Sequence, residues 1–359
     1  MQVGLLIYGS LDLVTGGFIY DRHLVRYLRD QGDTVEVIAL PWRSYSRSLA
    51  DNLNSGLKRR LYQARFDVLL QDELIHPSCF WLNQRLRSRI TYPLVAIVHH
   101  LRCREQRSAM RNRLYGMVEK RFLTAVDGLV CVSRTTRKDV ENLVGSNRPL
   151  VWAPPGRDGL PGGLAPEEII ARATAPGPLR LLFVGNLIPR KELHTLLAAL
   201  TQLPGDSWRL TVVGRLDMDA TYVKAIRRQI EDADLAARVS LLGTLSTREL
   251  AGQCASSHLL ALPSSYEGFG IVYVEGMQFG LPAIASTAGA AKEIISHGHN
   301  GFLVPPGDPD ALARCLGLLM RDRNLVLRMS LAAQRCAASH LTWNDSAALV
   351  RTFLQGLLA

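Results

Sequence analysis

The 359-residue chain has no apolar run near the ~18 residues that a membrane-spanning helix requires, so no such span is expected. Its six cysteines, at 79, 103, 131, 254, 315 and 336, form no CxxC pair and keep no metal-ligand spacing. That excludes a zinc module and a disulfide-stapled mini-protein, and it suits reduced thiols in a cytoplasmic protein. The opening Met1-Gln2-Val3-Gly4-Leu5 lacks the basic lead of a secretory signal. Low-complexity tracts and short repeats are absent. No aromatic-interleaved basic stretch stands out either, so nucleic acid is not an expected partner. What remains is globular: 47% hydrophobic and 21% charged residues, with length enough for two domains that each bury a core.

Charge is spread unevenly. Residues 1–150 hold 23 Lys and Arg against 14 Asp and Glu, whereas the other 209 hold 19 against 18. Nearly all of the formal +10 therefore lies in the first half, which points to an anionic partner there. The cations concentrate in Arg102–Arg121, with Arg102, Arg104, Arg107, Arg111, Arg113, Lys120 and Arg121 against only Glu105 and Glu119. Helical spacing gathers Met110, Leu114 and Met117 into an apolar stripe edged by those cations. The plainer expectation packs this stripe into the core. The alternative lays it in an anionic lipid interface, as a peripheral contact with the inner face of a membrane.

Strand patterns at Val3–Tyr8, Thr34–Leu40, Asp67–Leu70, Leu94–Val98, Leu129–Val132 and Leu150–Trp152 alternate with helical stretches such as Phe18–Gln31. A Pro- and Gly-rich stretch at 154–178 interrupts the rhythm, which then restarts at Leu179–Gly185 and continues through a helix at Phe269–Phe279. The pattern predicts an α/β chain of two doubly wound, Rossmann-like domains facing each other across a cleft. The expected limits are 1–153 for the N-terminal, acceptor-binding domain, 154–178 for a linker and 179–340 for the C-terminal, donor-binding domain. A last helix at 341–359 is expected to pack back on the first domain. Ligands in such sheets sit beyond the carboxyl ends of the strands, so the loops after Tyr8, Val98, Gly185 and Pro263 are where chemistry is expected.

Each loop carries suitable residues. Gly16 and Gly17 end the first, where bare backbone would approach a phosphate or sugar closely, or simply make a βα turn. In Gly185-Asn186-Leu187-Ile188-Pro189-Arg190-Lys191, adjacent cations enter a helix whose N-terminus is already positive, a cost that a diphosphate between them would remove. Solvated surface cations are the plain alternative. In Glu267-Gly268-Phe269-Gly270-Ile271-Val272-Tyr273-Val274-Glu275, one carboxylate precedes a helix and a second lies two turns inside an otherwise apolar one. Glu275 thus needs a partner, supplied by a ribose or sugar hydroxyl or by an internal ion pair. The amides of Phe269 and Gly270 would cap a phosphate. His99 and His100 end a strand where they would hydrogen-bond a sugar or phosphate, or serve structure alone. No Asp/His cluster accompanies them in the sequence, so no metal is expected.

Together these segments resemble the retaining GT-B glycosyltransferases of family 4, also called glycosyl transferases group 1. The Glu267-x7-Glu275 motif, Gly280-Leu-Pro-Ala-Ile-Ala-Ser, Gly289-Ala-Ala-Lys-Glu-Ile-Ile and Gly298-His-Asn-Gly-Phe-Leu-Val-Pro occur in the family's order. The resemblance implies a nucleotide-diphosphate-sugar donor bound mainly by the C-terminal domain, with Lys191 and Arg190 neutralising the diphosphate. Glu267 would hold the transferred sugar and Glu275 the ribose. Gly16 and Gly17 would face the diphosphate across the cleft, with His99 near the sugar. It further implies transfer of a hexose to a hydroxyl acceptor (glycolipid, polysaccharide or small molecule) with retained anomeric configuration and no metal or other cofactor. Asn186 departs from the pattern, since many members carry Arg there as a diphosphate ligand. A degenerate nucleotide-sugar-binding scaffold and a GT-B epimerase are the alternative functions.

Overall fold

In a computed structural model that describes residues 1–359, twelve strands form two six-stranded parallel sheets. The first contains β1 (Gln2–Tyr8), β2 (Thr34–Leu40), β3 (Val68–Asp72), β4 (Leu94–Val98), β5 (Gly128–Cys131) and β6 (Leu150–Trp152), in the order β2-β1-β3-β4-β5-β6. The second contains β7 (Leu179–Val184), β8 (Trp208–Val213), β9 (Val239–Gly243), β10 (Leu259–Leu262), β11 (Ala283–Ser286) and β12 (Gly301–Val304), in the order β12-β11-β10-β7-β8-β9.

Burial follows sheet position. β4 (Leu-Val-Ala-Ile-Val) and β10 (Leu-Leu-Ala-Leu) are internal and buried at every residue, whereas edge strands β2 and β9 alternate buried with exposed. Helices on both faces of a parallel sheet demand this pattern. Strand order reverses between β1 and β3 in one sheet and between β7 and β10 in the other. At such a reversal the flanking crossovers leave to opposite faces and open a crevice at the strands' carboxyl ends.

The chain divides into two compact units, Met1–Pro155 with Thr342–Ala359, and Gly156–Leu341. The stretch 154–178 is not a free linker. It carries the helix Pro166–Thr174, whose Ile169 and Ala173 are buried against the second unit and whose Arg172 donates to the carbonyls of Cys254, Ala255 and Gly280. The last helix, Trp343–Leu358, belongs to the first unit. There Arg351 meets Asp33 at 2.8 Å, Asp33 also takes the N-terminal ammonium at 2.7 Å, and Trp343 stacks on His23 with ring centroids 4.1 Å apart.

A glycine permits that docking. A Cβ on Gly128 would stand 2.9 Å from Leu357 and 3.0 Å from Phe353, so only bare backbone lets the helix lie on β5. Gly128→Val is expected to destabilise the first unit by about 1–3 kcal/mol, the usual cost of overpacking. Limited proteolysis should then release residues 342–359 first; unchanged protection there would contradict this packing account.

Candidate active site

The second unit concentrates chemistry at the β7/β10 reversal. The loop after β7 runs through Gly185 and Asn186 into a single turn, Pro189–Lys191, and Glu192 then adopts a left-handed conformation (φ 58°) before the helix Leu193–Leu200. Arg190 and Lys191 therefore do not enter the helix, as the sequence suggested. The left-handed residue separates them from its positive end, which removes the dipole conflict.

Both side chains turn instead toward Glu267, in the loop after β10. Lys191 Nζ lies 2.5 Å from Glu267 Oε1, while Arg190 Nη1 is 3.7 Å from Oε2 and donates to Tyr266 O at 2.6 Å. Ser265 N donates to Arg190 O at 2.8 Å and so ties the two loops together. On the other side of Glu267, Ala290 N donates to its carbonyl at 2.8 Å, and a Cβ on Gly289 would lie 2.2 Å from that oxygen. Burial works to raise the Glu267 carboxyl, but Lys191 and Arg190 outweigh it and hold it at about 2. Burial also lowers the Lys191 amine, against the pull of Glu267.

The helix carrying the second carboxylate begins at Ile271 rather than Phe269, because Gly270 is its left-handed N-cap at φ 93°. Glu275 points from its second turn into a buried setting, and burial alone pushes its carboxyl up to about 7. Asn186 accepts at Oδ1 from Arg215 N at 3.3 Å, and the Arg215 guanidinium grips Asp217 at 2.9 and 2.8 Å. Sequence reasoning passed over Arg215, although Val213-Gly214-Arg215 repeats the strand–glycine ending of Val184-Gly185-Asn186.

In the first unit Gly16 and Gly17 are the first two residues of the helix Gly16–Asp30, capped by Thr15, and not part of the loop before it. Gly17 leaves little room for a side chain: a Cβ there would stand 3.1 Å from His99 Cδ2. The two histidines diverge. His100 Nε2 pairs with Glu105 at 2.9 Å, whereas His99 turns inward, its Nε2 lying 3.5 Å from Asp21 Oδ1.

The expectation that no Asp/His cluster surrounds the pair is corrected here. Asp21, Asp72 and His99 offer ligand atoms within 4.8 Å of one another, as do Glu73, His76 and Glu119. Both groups join residues far apart in sequence. β3 runs two residues beyond the expected Leu70, through polar Gln71, and so delivers Asp72 to the sheet's carboxyl edge. Burial pushes Asp72 and Glu73 up to about 8 and Glu119 to about 7. Burial would lower the His99 imidazole of the first group, but Asp21 and Asp72 outweigh it and raise it above its ordinary value.

One unit thus presents a cation-neutralised carboxylate at a strand-order reversal, and the other an imidazole among carboxylic acids; with two parallel α/β sheets, this defines a GT-B-type protein. The model of Glycosyltransferase Family 4 matches residues 14–158 and that of Glycosyl transferases group 1 matches 166–335. An MMP alpha-(1->4)-mannosyltransferase of Mycolicibacterium hassiacum is 30% identical over 296 residues, 77% of this chain and 68% of that protein. The chain belongs to glycosyltransferase family 4. A GDP-mannose-dependent alpha-(1-6)-phosphatidylinositol monomannoside mannosyltransferase of Mycobacterium tuberculosis is 28% identical over 251 residues, 67% of this chain, so the match spans 64% of that relative's length. Among solved structures, sucrose-phosphate synthase from Thermosynechococcus elongatus superposes with a TM-score of 0.84 at 20% identity, covering 99% of each chain. Anabaena HepE in complex with UDP-glucose gives 0.76 at 20% identity, again over 99% of each chain.

Glu275 makes stability depend on pH. Its folded value of about 7 lies above the ordinary 4.5, so its neutral form is the one the fold favours. The contribution is complete below about 4.5 and is lost as pH rises through about 7. Glu275→Gln should melt higher than the parent protein at pH 8, with the gap closing toward pH 5, at about 2–4 °C per kcal/mol relieved. A gap independent of pH in thermal unfolding would refute the assignment.

Proposed function

We propose that the protein is a retaining, metal-independent glycosyltransferase that moves a hexose from a nucleoside-diphosphate sugar to a hydroxyl acceptor. The observation that carries this reading is the contact of Lys191 and Arg190 with buried Glu267 at the β7/β10 reversal, eight residues before buried Glu275. A diphosphate entering there displaces one anion with another, so the two cations keep a counter-charge throughout. Glu267, released from Lys191, is free to accept hydrogen bonds from the hydroxyls of the transferred sugar. Glu275 finds in ribose hydroxyls the donors that its apolar helix lacks. Lys191, Arg190 and the amides leading into the helix at Ile271 stabilise the leaving diphosphate, the charge that grows most in the transition state. A GDP-mannose-dependent relative and a structural neighbour in complex with UDP-glucose support a nucleotide-sugar donor.

Lys191→Ala and Glu275→Ala should each weaken GDP or UDP binding about tenfold or more, whereas Glu267→Ala should chiefly lower kcat. Calorimetry with the two nucleotides tests the first statement, and unchanged affinity in both variants would sink the site assignment. Turnover should survive EDTA. Activity abolished by chelation and restored by manganese or magnesium would overturn the metal-independent mechanism.

A lipid-linked acceptor is favoured by a surface feature. The stripe Met110, Leu114 and Met117 on the helix Ala109–Thr124 is not in the core: these residues are 80%, 49% and 59% exposed, while Val118, Phe122 and Leu123 face inward. Exposed Arg111, Arg113, Lys120 and Arg121 surround the stripe. Each such cation contributes about 1 kcal/mol beside an anionic leaflet, and apolar side chains add insertion. A relative named for action on a phosphatidylinositol mannoside agrees with this choice. Sedimentation with vesicles should show binding that rises with anionic lipid and falls with salt. Equal or absent binding on neutral and anionic vesicles would point to a water-soluble acceptor.

A further inference from the structure

Resting on the glycosyl-transfer reading above, we infer that Asp21 is a positioning residue that holds the buried edge of His99, so that the ring presents Nδ1–H to a substrate oxygen and acts as a hydrogen-bond donor, not as a base. The geometry fixes which edge is which. The Cδ2–Nε2 edge lies against the first turns of the helix Gly16–Asp30, 3.1 and 3.3 Å from where a Cβ on Gly17 would stand and 3.5 Å from Asp21 Oδ1. Nδ1 therefore belongs to the opposite edge, and the residue keeps 13% side-chain exposure.

Asp21 is itself fully buried, and neither of its oxygens has a hydrogen-bond partner. A buried carboxylate in that condition is costly, and His99 Nε2 is the donor within reach. The ring nitrogen it faces is likewise buried and unpaired, so the two lack only a small approach to satisfy each other.

The surroundings decide the charge. His99 faces Asp21 and the edge-on ring of Tyr20 from the helix, and Asp72 and Glu73 from the end of β3. On its own segment, His100 is engaged by Glu105. Burial would lower the His99 imidazole, yet Asp21 and Asp72 outweigh it and raise it above the ordinary 6.5. With Nε2–H directed at Asp21, the second proton of the imidazolium resides on Nδ1. The atom this recognises is an oxygen carrying negative charge or lone pairs: a sugar hydroxyl or a phosphate oxygen. A donor of this kind loses its function as pH rises, whereas a general base would gain it.

The test is an NMR titration of the full chain labelled with 15N-histidine, the His99 signal being identified from His99→Gln. In the parent protein His99 should titrate above 6.5. In Asp21→Asn it should titrate lower by about 1 unit or more, with Asp21→Glu restoring part of the shift. With GDP-mannose and UDP-glucose as donors, kcat of Asp21→Asn should fall further at pH 8 than at pH 6, while affinity for GDP or UDP is unchanged. A parent His99 that titrates below 6.5 overturns the inference without any variant. So does an unshifted His99 in Asp21→Asn, or a loss of kcat equal at all pH values. Absence of turnover with either donor in the parent protein would count against the transferase reading alone, because the titration still decides the role of Asp21.

Discussion

The contact between Lys191 and Glu267 is the constraint on which the second unit's functional face depends. Glu267 is buried and the Lys191 side chain is only 15% exposed, and charges so far withdrawn from water are tolerable only as partners. Their residues lie 76 positions apart and meet because β7 and β10 are neighbours in the sheet without being consecutive in the chain. The loops are further joined by Ser265 N to Arg190 O, and Gly289 closes over the Glu267 carbonyl without room for a side chain. The two loops are thereby held together across the β7/β10 reversal, with Glu267 as the counter-charge of both cations.

The first unit inverts this arrangement. Its surface carries the basic excess of the chain, but its interior is acidic: Asp21, Asp72, Glu73 and Glu119 are all buried around His99 and His76. Burial raises Asp72, Glu73 and Glu119, so these three carboxyls keep their protons to higher pH than exposed ones would. Glu119 also accepts from the amides of Arg102 and Cys103, which anchors the loop after the two histidines to the helix Ala109–Thr124. The same helix turns Met110, Leu114 and Met117 outward. One element thus links the loop beside His99 to the cationic, partly apolar surface.

Much was readable in the sequence because it is local. Strands β2, β4 and β6 fall where apolar runs bounded by turns predict them. Errors cluster where local chemistry misleads. Gln71 and Asp72 read as loop although β3 continues through them. Arg190 and Lys191 read as helix because nothing in the sequence marks Glu192 as left-handed. The stripe at Met110 read most simply as core, since hydrophobic periodicity reports that a face is apolar and not what covers it.

The sequence by itself determined the two doubly wound sheets, the family and the loops at the strands' carboxyl ends, because strand periodicity, glycine punctuation and motif order are properties of neighbouring residues. Only the tertiary structure decided the partnerships: Lys191 with Glu267, Asp21 and Asp72 with His99, Arg351 with Asp33. It also decided that Glu275 is buried without a cation. The physical reason is that strand order, which brings β3 beside β1 and β10 beside β7, is set by how crossovers pack on a sheet as a whole, and no short stretch of sequence encodes it.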